Sequence, residues 1–356
     1  MYIDIATEKF NRLRTQKDII VLAFESSCDD TSVAVVKNGR EVLSLVIASQ
    51  IDIHARFGGV VPEVASRNHL LSISNITEEA LNKANLTLSD VDAIAVTYGA
   101  GLVGSLMVGV NFAKSLAFAL ELPLIKVNHI RAHVAANYLS NKDLTPPFLA
   151  LIVSGGHTAL TKVEDYATQT LIGTTHDDAV GEAYDKVAKV LGLGYPGGPV
   201  VDKLSKSGNN NIQFIKPNYN KKDFNFSYSG LKTSVINYLH KTKQRGEDVC
   251  VEDVCASFQC QAVEELVTKT INASKKYKID KIALAGGVAC NSHLRAEMQK
   301  ACEKEKKKLY YPTPIECTDN AAMVGAEAYY QILAGASLAD LDLVPDTTIN
   351  LKYSNK

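Results

Sequence analysis

Apolar positions in the first fifty residues come in short runs broken by polar turns. Ile19 to Phe24 is apolar, Glu25-Ser-Ser-Cys-Asp-Asp-Thr31 is polar, Ser32 to Val36 is apolar again, Lys37-Asn38-Gly39 turns, and Val42 to Ala48 follows. This spacing predicts strand, turn, strand, turn, strand. The same order returns later as Phe148 to Val153, the turn Ser154-Gly-Gly-His-Thr158, Ala159 to Val163, the turn Glu164-Asp165-Tyr166, and Thr168 to Gly173. Behind the first meander, Asp92 to Thr97 runs into Tyr98-Gly-Ala-Gly101 and a helical pattern from Ser105 to Glu121. Behind the second, Asp280 to Ala285 runs into Gly286-Gly287-Val288 and a helical pattern from about Asn291 to Lys304. The economical explanation is a duplicated α/β domain, two lobes whose polar hairpin turns face each other across a cleft. The predicted division is residues 19–127 with about 319–345 as lobe I and 128–318 as lobe II, with 1–18 as a surface extension.

The second half carries an insertion with two helical patterns, Asp177 to Leu191 and about Glu252 to Lys276, separated by a polar stretch from Lys203 to Ser229. His176-Asp177-Asp178 places carboxylates where a helix N-terminus favours them. Gly192-Leu-Gly-Tyr-Pro-Gly-Gly-Pro199 ends the first of these helices.

Composition narrows the function. The 356 residues suggest about two domains, and 46% hydrophobic with 22% charged residues excludes a disordered or fibrous chain. With Lys+Arg 38 against Asp+Glu 39 the net charge is -1, so a wholly basic nucleic-acid coat is excluded and a polyanion must meet a local patch. Apolar stretches such as Phe148 to Val153 and Ser115 to Leu120 are too short for a bilayer, which needs about 20 residues, so no membrane span is expected. The start, with Asp4, Glu8 and Asp18 and no apolar core, does not read as a secretory or transit signal. The seven cysteines include no Cys-x-x-Cys, which fits a reduced, cytoplasmic compartment.

The candidate chemistry lies in the turns. Glycine-rich turns let backbone amides approach an anion, so Ser154, Thr158 and the Gly155-Gly156 and Gly286-Gly287 amides can cradle phosphate; the alternative is that these glycines only make tight turns. P-loop and dinucleotide fingerprints are absent. His129 and His133 are four apart in a segment of helical composition, so both imidazoles project from one face as a metal pair. Asp319, at the start of a predicted helix, is a third ligand or simply an N-cap. A zinc protease would place Glu after the first His, where Ile130 stands. Asp29 and Asp30, beside Glu25, suggest a cation site or a proton acceptor, or else turn chemistry. Asp185 and Asp202 are candidate partners for ribose hydroxyls. Lysines and arginine at Lys216, Lys221, Lys222, at Lys241, Lys243, Arg245, and at Lys300, Lys304, Lys306, Lys307, Lys308 are either a solvated face or contacts to an RNA backbone.

Taken together, Glu25 to Thr31, Phe57-Gly-Gly-Val-Val-Pro-Glu-Val-Ala-Ser-Arg67, His129-x-x-x-His133, Val153-Ser-Gly-Gly-His-Thr158, Asp185-Lys, Tyr195-Pro-Gly-Gly198, Phe226-Ser-Tyr-Ser-Gly-Leu-Lys232, Ala285-Gly-Gly-Val-Ala-Cys-Asn291 and Cys317-Thr-Asp-Asn320 resemble the TsaD family. These are tRNA adenosine threonylcarbamoyltransferases, once described as O-sialoglycoprotein endopeptidases. The resemblance implies an actin-like (ASKHA, sugar-kinase-like) duplicated fold around a nucleotide cleft. It implies transfer of the threonylcarbamoyl group from threonylcarbamoyl-AMP to the exocyclic amine of the adenosine next to the anticodon, in tRNAs reading codons that begin with A, with release of AMP. It places one divalent metal on His129, His133 and Asp319, Fe2+ in the usual family description, with Zn2+ or Mg2+ as alternatives. Ile152, Val153, Ser154, Gly155 and Gly156 would bind substrate near its phosphate, with Asp185, Gly198, Asp202 and Asn291 around the adenine nucleotide. Members often carry Glu at the position of Asp30. Beside the tRNA substrate, the implied partners are a smaller homologous TsaB-like subunit and a TsaE-like small ATPase.

Three rivals remain at this level. A kinase of the same fold predicts ATP-dependent turnover of a polyol and gives no reason for the paired histidines. A metallopeptidase predicts chelator-sensitive cleavage of a glycoprotein. A non-catalytic paralogue would lack the metal triad.

Overall fold

The structure, a computed structural model, describes residues 1–214 and 223–349. Lys216, Lys221 and Lys222 of the first basic group lie outside the described residues. The chain opens with helix α1 (Tyr2–Leu13) and the meander β1 (Ile20–Glu25), β2 (Asp30–Lys37) and β3 (Glu41–Ser49). Helices α2 (Ile51–Ala55) and α3 (Pro62–Ala84), strand β4 (Ala93–Gly99), helix α4 (Val103–Leu120), strand β5 (Leu124–Asn128) and helix α5 (His129–Ser140) follow. The second meander is β6 (Phe148–Val153), β7 (Thr158–Val163) and β8 (Gln169–Thr174). It leads to α6 (Val180–Val190), α7 (Gly197–Leu204), α8 (Ser229–Gln244), α9 (Val251–Tyr277), β9 (Lys281–Ala285), α10 (Ser292–Lys304) and β10 (Lys308–Tyr310). The chain closes with α11 (Pro314–Cys317), α12 (Ala321–Ala334) and β11 (Leu338–Ala339).

Two compact units result, residues 1–146, 164–170 and 312–356 in the first and 147–163 and 171–311 in the second. Their sheets repeat one plan. The first runs β11-β5-β4-β1-β2-β3 and the second β10-β9-β6-β7-β8. In each, a meander adds a parallel strand beside its first strand, β4 beside β1 and β9 beside β6, and a second parallel strand beyond it. The duplication expected from the apolar runs is present.

The division differs from the expected one: residues 128–146, 164–170 and 312–318, expected in lobe II, fall in the first unit, and so do residues 1–18. Helix α5, with both histidines, belongs to the first unit, because it packs on α12 and the break falls at Pro146 and Pro147. Residues 1–18 are not a mere extension: α1 buries Ala6, Phe10 and Leu13 and Tyr2 donates its hydroxyl to the Leu122 carbonyl at 2.8 Å. The spacing of those apolar residues is that of one helix face.

In the first unit Leu22 and Phe24 of β1 point into a core shared with Ile73 of α3 and Val110 of α4. The opposite face meets α12, where a Cβ on Gly325 would sit 2.7 Å from Val36. A sheet covered on both faces makes β1 a continuous apolar run. Among the described residues one helix, α4, is long and apolar enough to cross a membrane, yet its Leu106, Val110, Ala113 and Ala117 are buried against the protein.

In the second unit the insertion holds, among the described residues, the four helices α6 to α9, where the sequence pattern suggests two. The carboxylates before α6 do not cap it. Asp177 instead accepts from the amides of Tyr228 (2.8 Å) and Ser229 (3.3 Å) at the start of α8, while the first amide of α6, Val180, donates to Thr158 Oγ1 at 2.8 Å. The Phe226 to Lys232 motif therefore docks on the 176–178 turn, and Lys232 with Lys186 clasps Asp178.

Candidate functional site

Strands β1, β4 and β5 run parallel and end on one edge of the first sheet, the edge where open α/β sheets gather ligands. There the terminal residue of β1, Glu25, meets Thr97 of β4 and His129, the first residue of α5. Asn128 caps α5, its side chain accepting from the amides of Ile130 (2.9 Å) and Arg131 (3.3 Å). One helical turn on, His133 stacks edge-on against His129 with ring centroids 4.6 Å apart. Asp319 arrives from the far end of the chain, just before α12. Asn320, whose side chain accepts from the Met323 amide at 3.0 Å, is the N-cap of that helix, so Asp319 is spared that duty.

One ligand atom from each of His129, His133 and Asp319 lies within 4.8 Å of the others. Asp319 Oδ1 is 3.2 Å from His133 Nε2 and 3.6 Å from His129 Nε2. His133 is 1% exposed, and neither of its ring nitrogens makes a hydrogen bond. Such a buried, unsatisfied imidazole facing a carboxylate fits a divalent metal. His129 is held from behind: its Nδ1 lies 3.1 Å from Glu25 Oε2 and 3.2 Å from Ser27 Oγ. A carboxylate on the inner nitrogen presents the outer one to a metal. Glu25 is fixed in turn, accepting from Thr97 Oγ1 and the Ser27 amide, both at 2.6 Å.

Burial opposes charge on both partners, and their mutual attraction overrides it. His129 is lifted to about 9 by the Glu25 and Asp319 carboxylates despite desolvation. Glu25, which burial would push up, is held below its ordinary value chiefly by His129. The sequence grouped Glu25 with Asp29 and Asp30 as one acidic turn. The structure separates them: Glu25 serves the metal site, while Asp30 opens β2 with a buried Oδ1 that has no hydrogen-bond partner. Burial raises Asp30 to about 6, against a hydrogen bond from Ser49 and with help from Asp29.

The second unit gathers the glycine turns. A Cβ on Gly181 would meet the Ser154 carbonyl at 2.5 Å, and one on Gly286 would meet the Val153 carbonyl at 2.5 Å. The first turn of α6 and the Gly286-Gly287 turn thus each approach the backbone around Ser154. By contrast Gly155, Gly156, Gly198 and Gly287 have nothing within 4 Å of an added Cβ, so they face open space, as a phosphate cradle requires. Ile152 and Val153 are fully buried in β6. Asp185 accepts from the Gly197 amide at 2.7 Å and so fixes the 195–198 turn. Asp202 accepts from Ser292 Oγ at 2.9 Å, and Asn291 caps α10 while donating to Gln259 at 2.7 Å. Of the basic groups, Lys241 and Lys243 sit in the last turn of α8, where a helix dipole favours them, and Lys300 and Lys307 pair with Glu297 and Asp280.

The profile of the tRNA N6-adenosine threonylcarbamoyltransferase family, TsaD, matches residues 41–326. A tRNA N6-adenosine threonylcarbamoyltransferase of Clostridium novyi (strain NT) is 55% identical over 343 residues, 96% of this chain and 99% of the relative. Another, of Clostridium perfringens (strain SM101 / Type A), is 56% identical over 317 residues, 89% of this chain and 94% of the relative. The chain belongs to the TsaD family.

As a TsaD enzyme it is a metal-assisted transferase that moves the threonylcarbamoyl group of threonylcarbamoyl-AMP to the exocyclic amine of the adenosine next to the anticodon, releasing AMP. Among solved structures, HypF of T. kodakarensis aligns with TM-score 0.61 at 14% identity, over 89% of this chain and 48% of that one. Component A of Acidaminococcus fermentans (R)-2-hydroxyglutaryl-CoA dehydratase aligns with TM-score 0.53 at 14% identity, over 88% of this chain and 99% of that one. At such identity the likeness concerns the fold alone, the duplicated actin-like α/β plan. TsaD membership sets aside the kinase and peptidase readings.

Proposed function

We propose that the divalent ion held by His129, His133 and Asp319 is Fe2+, and that the substrate is an adenylate whose phosphate the glycine turns bind. Two imidazoles with one carboxylate suit Fe2+, with Zn2+ next. When bound, such an ion supplies Lewis acidity toward a carbonyl or phosphoryl oxygen. The carrying observation is the pair of unsatisfied ring nitrogens on buried His133, 3.2 Å from Asp319 at the nearer one.

This chain's own residues do the rest. The Glu25 carboxylate orients His129. The Gly155 and Gly156 amides hold the substrate's phosphate, in a turn closed by the Ser154 amide donating to the His157 carbonyl at 2.8 Å, and Gly198, Asp185, Asp202 and Asn291 shape the ground around the nucleotide, the last three through the hydrogen bonds that fix their turns. Asp29 and Asp30 face the incoming amine, and Asp30 accepts its proton. Orientation of amine and carbonyl supplies much of the acceleration.

We further propose that a TsaB-like homologous subunit covers the apolar groove between α3 and α4, about 550 Å³, lined by Leu70, Met107 and Phe112 among others. Leu70 is 69% and Leu71 75% exposed, an unusual cost for a lone surface. A TsaE-like ATPase completes the set, and tRNA places the work in the bacterial cytoplasm.

The test mixes the chain, threonylcarbamoyl-AMP and unmodified tRNA, with and without the two partners, and measures the modified nucleoside after chelation and after readdition of Fe2+, Zn2+ or Mg2+. Restoration by Fe2+ is expected. Full turnover without any metal overturns the reading, and a Leu70→Asp variant that still binds the TsaB-like subunit overturns the proposed groove.

A further inference from the structure

His69 lies on α3, outside every motif singled out above, and is completely buried. Its Nε2 is 2.9 Å from the Cys28 carbonyl and its Nδ1 is 2.7 Å from Thr31 Oγ1. A carbonyl can only accept, so Nε2 carries the proton and Nδ1 accepts from the threonine hydroxyl. Both nitrogens are thereby used, and burial keeps the ring neutral by lowering its affinity for a second proton.

What the ring bridges is informative. Cys28 and Thr31 stand on either side of Asp29 and Asp30. Three successive carbonyls of this turn are each held by a different element: Ser27 by the Leu102 amide at 2.8 Å, Cys28 by His69, and Asp29 by the Gln50 amide at 3.2 Å. Of the three, only Cys28 is held by a side chain. The near end of the same turn is tied to the metal site through Ser27 and Glu25.

We propose that His69 is a positioning residue for threonylcarbamoyl transfer, its ring fixing the direction of Asp29 and Asp30 by holding the backbone before them and the hydroxyl after them. The inference rests on the reading of those two carboxylates as the groups that meet the amine.

The experiment compares two isosteric cuts of the ring. His69→Gln reaches the Nε2 position and keeps a donor for Cys28, whereas His69→Asn reaches only the Nδ1 position and leaves that carbonyl unheld. With saturating threonylcarbamoyl-AMP and tRNA, His69→Asn is expected to lower kcat by about a hundredfold, the scale of a misplacement near 1 Å. His69→Gln should stay within about threefold of the parent rate, since its donor remains. KM for threonylcarbamoyl-AMP and bound metal should be unchanged in both. Thr31→Val, which removes one hydroxyl with little change of volume, should lower kcat to an intermediate value. Equal rates in the Asn and Gln variants, or a loss that follows metal content or Tm, would overturn the proposal. Asp29→Asn and Asp30→Asn separate it from its premise. If both keep full turnover, the reading of the carboxylates falls and the positioning role with it. If either loses turnover while His69→Asn does not, only the positioning role is overturned.

Discussion

Glu25 and His129 form a buried pair, Oε2 to Nδ1 at 3.1 Å, that joins the end of the first strand to the first residue of the helix carrying both histidine ligands. The contact fixes the ring's rotation and leaves Nε2 toward Asp319.

Glu25→Ala should therefore weaken metal affinity by about 10- to 100-fold, the usual penalty for losing a carboxylate behind a ligating histidine. Glu25→Gln, which keeps an acceptor without the charge, should fall between parent and Ala. Competitive titration against a coloured chelator checks the order, and equal affinity in all three would refute the orienting role.

His133→Ala and His129→Ala should abolish nucleoside modification while leaving far-ultraviolet circular dichroism intact. In the parent, added metal should raise Tm in proportion to the logarithm of its excess over Kd. His133→Ala should lose that rise, a comparison that calorimetry makes directly.

Metal affinity should climb with pH. His129 binds a proton up to about 9 in the metal-free protein, and a ligand must shed it, so binding releases a proton and strengthens about tenfold per unit until that value is passed. The metal-free fold behaves oppositely. A histidine raised above its unfolded value of 6.5 gives its full stabilisation below 6.5, and loses it as pH rises through about 9. Metal-free Tm should fall over that window while the metal-loaded Tm holds.

Asp30 predicts an acid limb. A carboxyl raised to about 6 is protonated below it and cannot take the amine's proton, so kcat should decline as pH drops through about 6. Its raised value also means that the folded state disfavours the charged form, a penalty absent near pH 3.8 and complete above about 6. Asp30→Asn should accordingly raise Tm at pH 7.5 more than at pH 4, even as turnover is lost.

Two glycines of the second unit should behave differently. Gly286 has φ +88 and a Cβ there would meet the Val153 carbonyl at 2.5 Å, so Gly286→Ala should cost about 1–3 kcal/mol of stability. Gly155 faces open space. Gly155→Val should leave Tm nearly unchanged and raise KM for threonylcarbamoyl-AMP, the result that marks a cradle; an unchanged KM would reduce the turn to punctuation.

Much was legible in the linear chain because local rules suffice for it. The two meanders show as apolar runs between polar turns, since β1, β2, β6 and β7 are buried almost without a break. The histidine pair shows because four residues make one helical turn. Family motifs carried the reaction. The local rules failed where partners are remote: Asp177 looked like a cap for the next helix and instead caps α8, some fifty residues on, and the first eighteen residues hid a docked helix. Which acid serves which purpose was decided by tertiary structure alone. Glu25, Asp29 and Asp30 are neighbours in sequence, yet parallel strands ending on one edge bring Glu25 to His129, and α3 brings His69 to Cys28 and Thr31, which flank the other two. Hydrogen bonds act over about 3 Å, so residues a hundred positions apart become partners only when the sheet has set the distance between them.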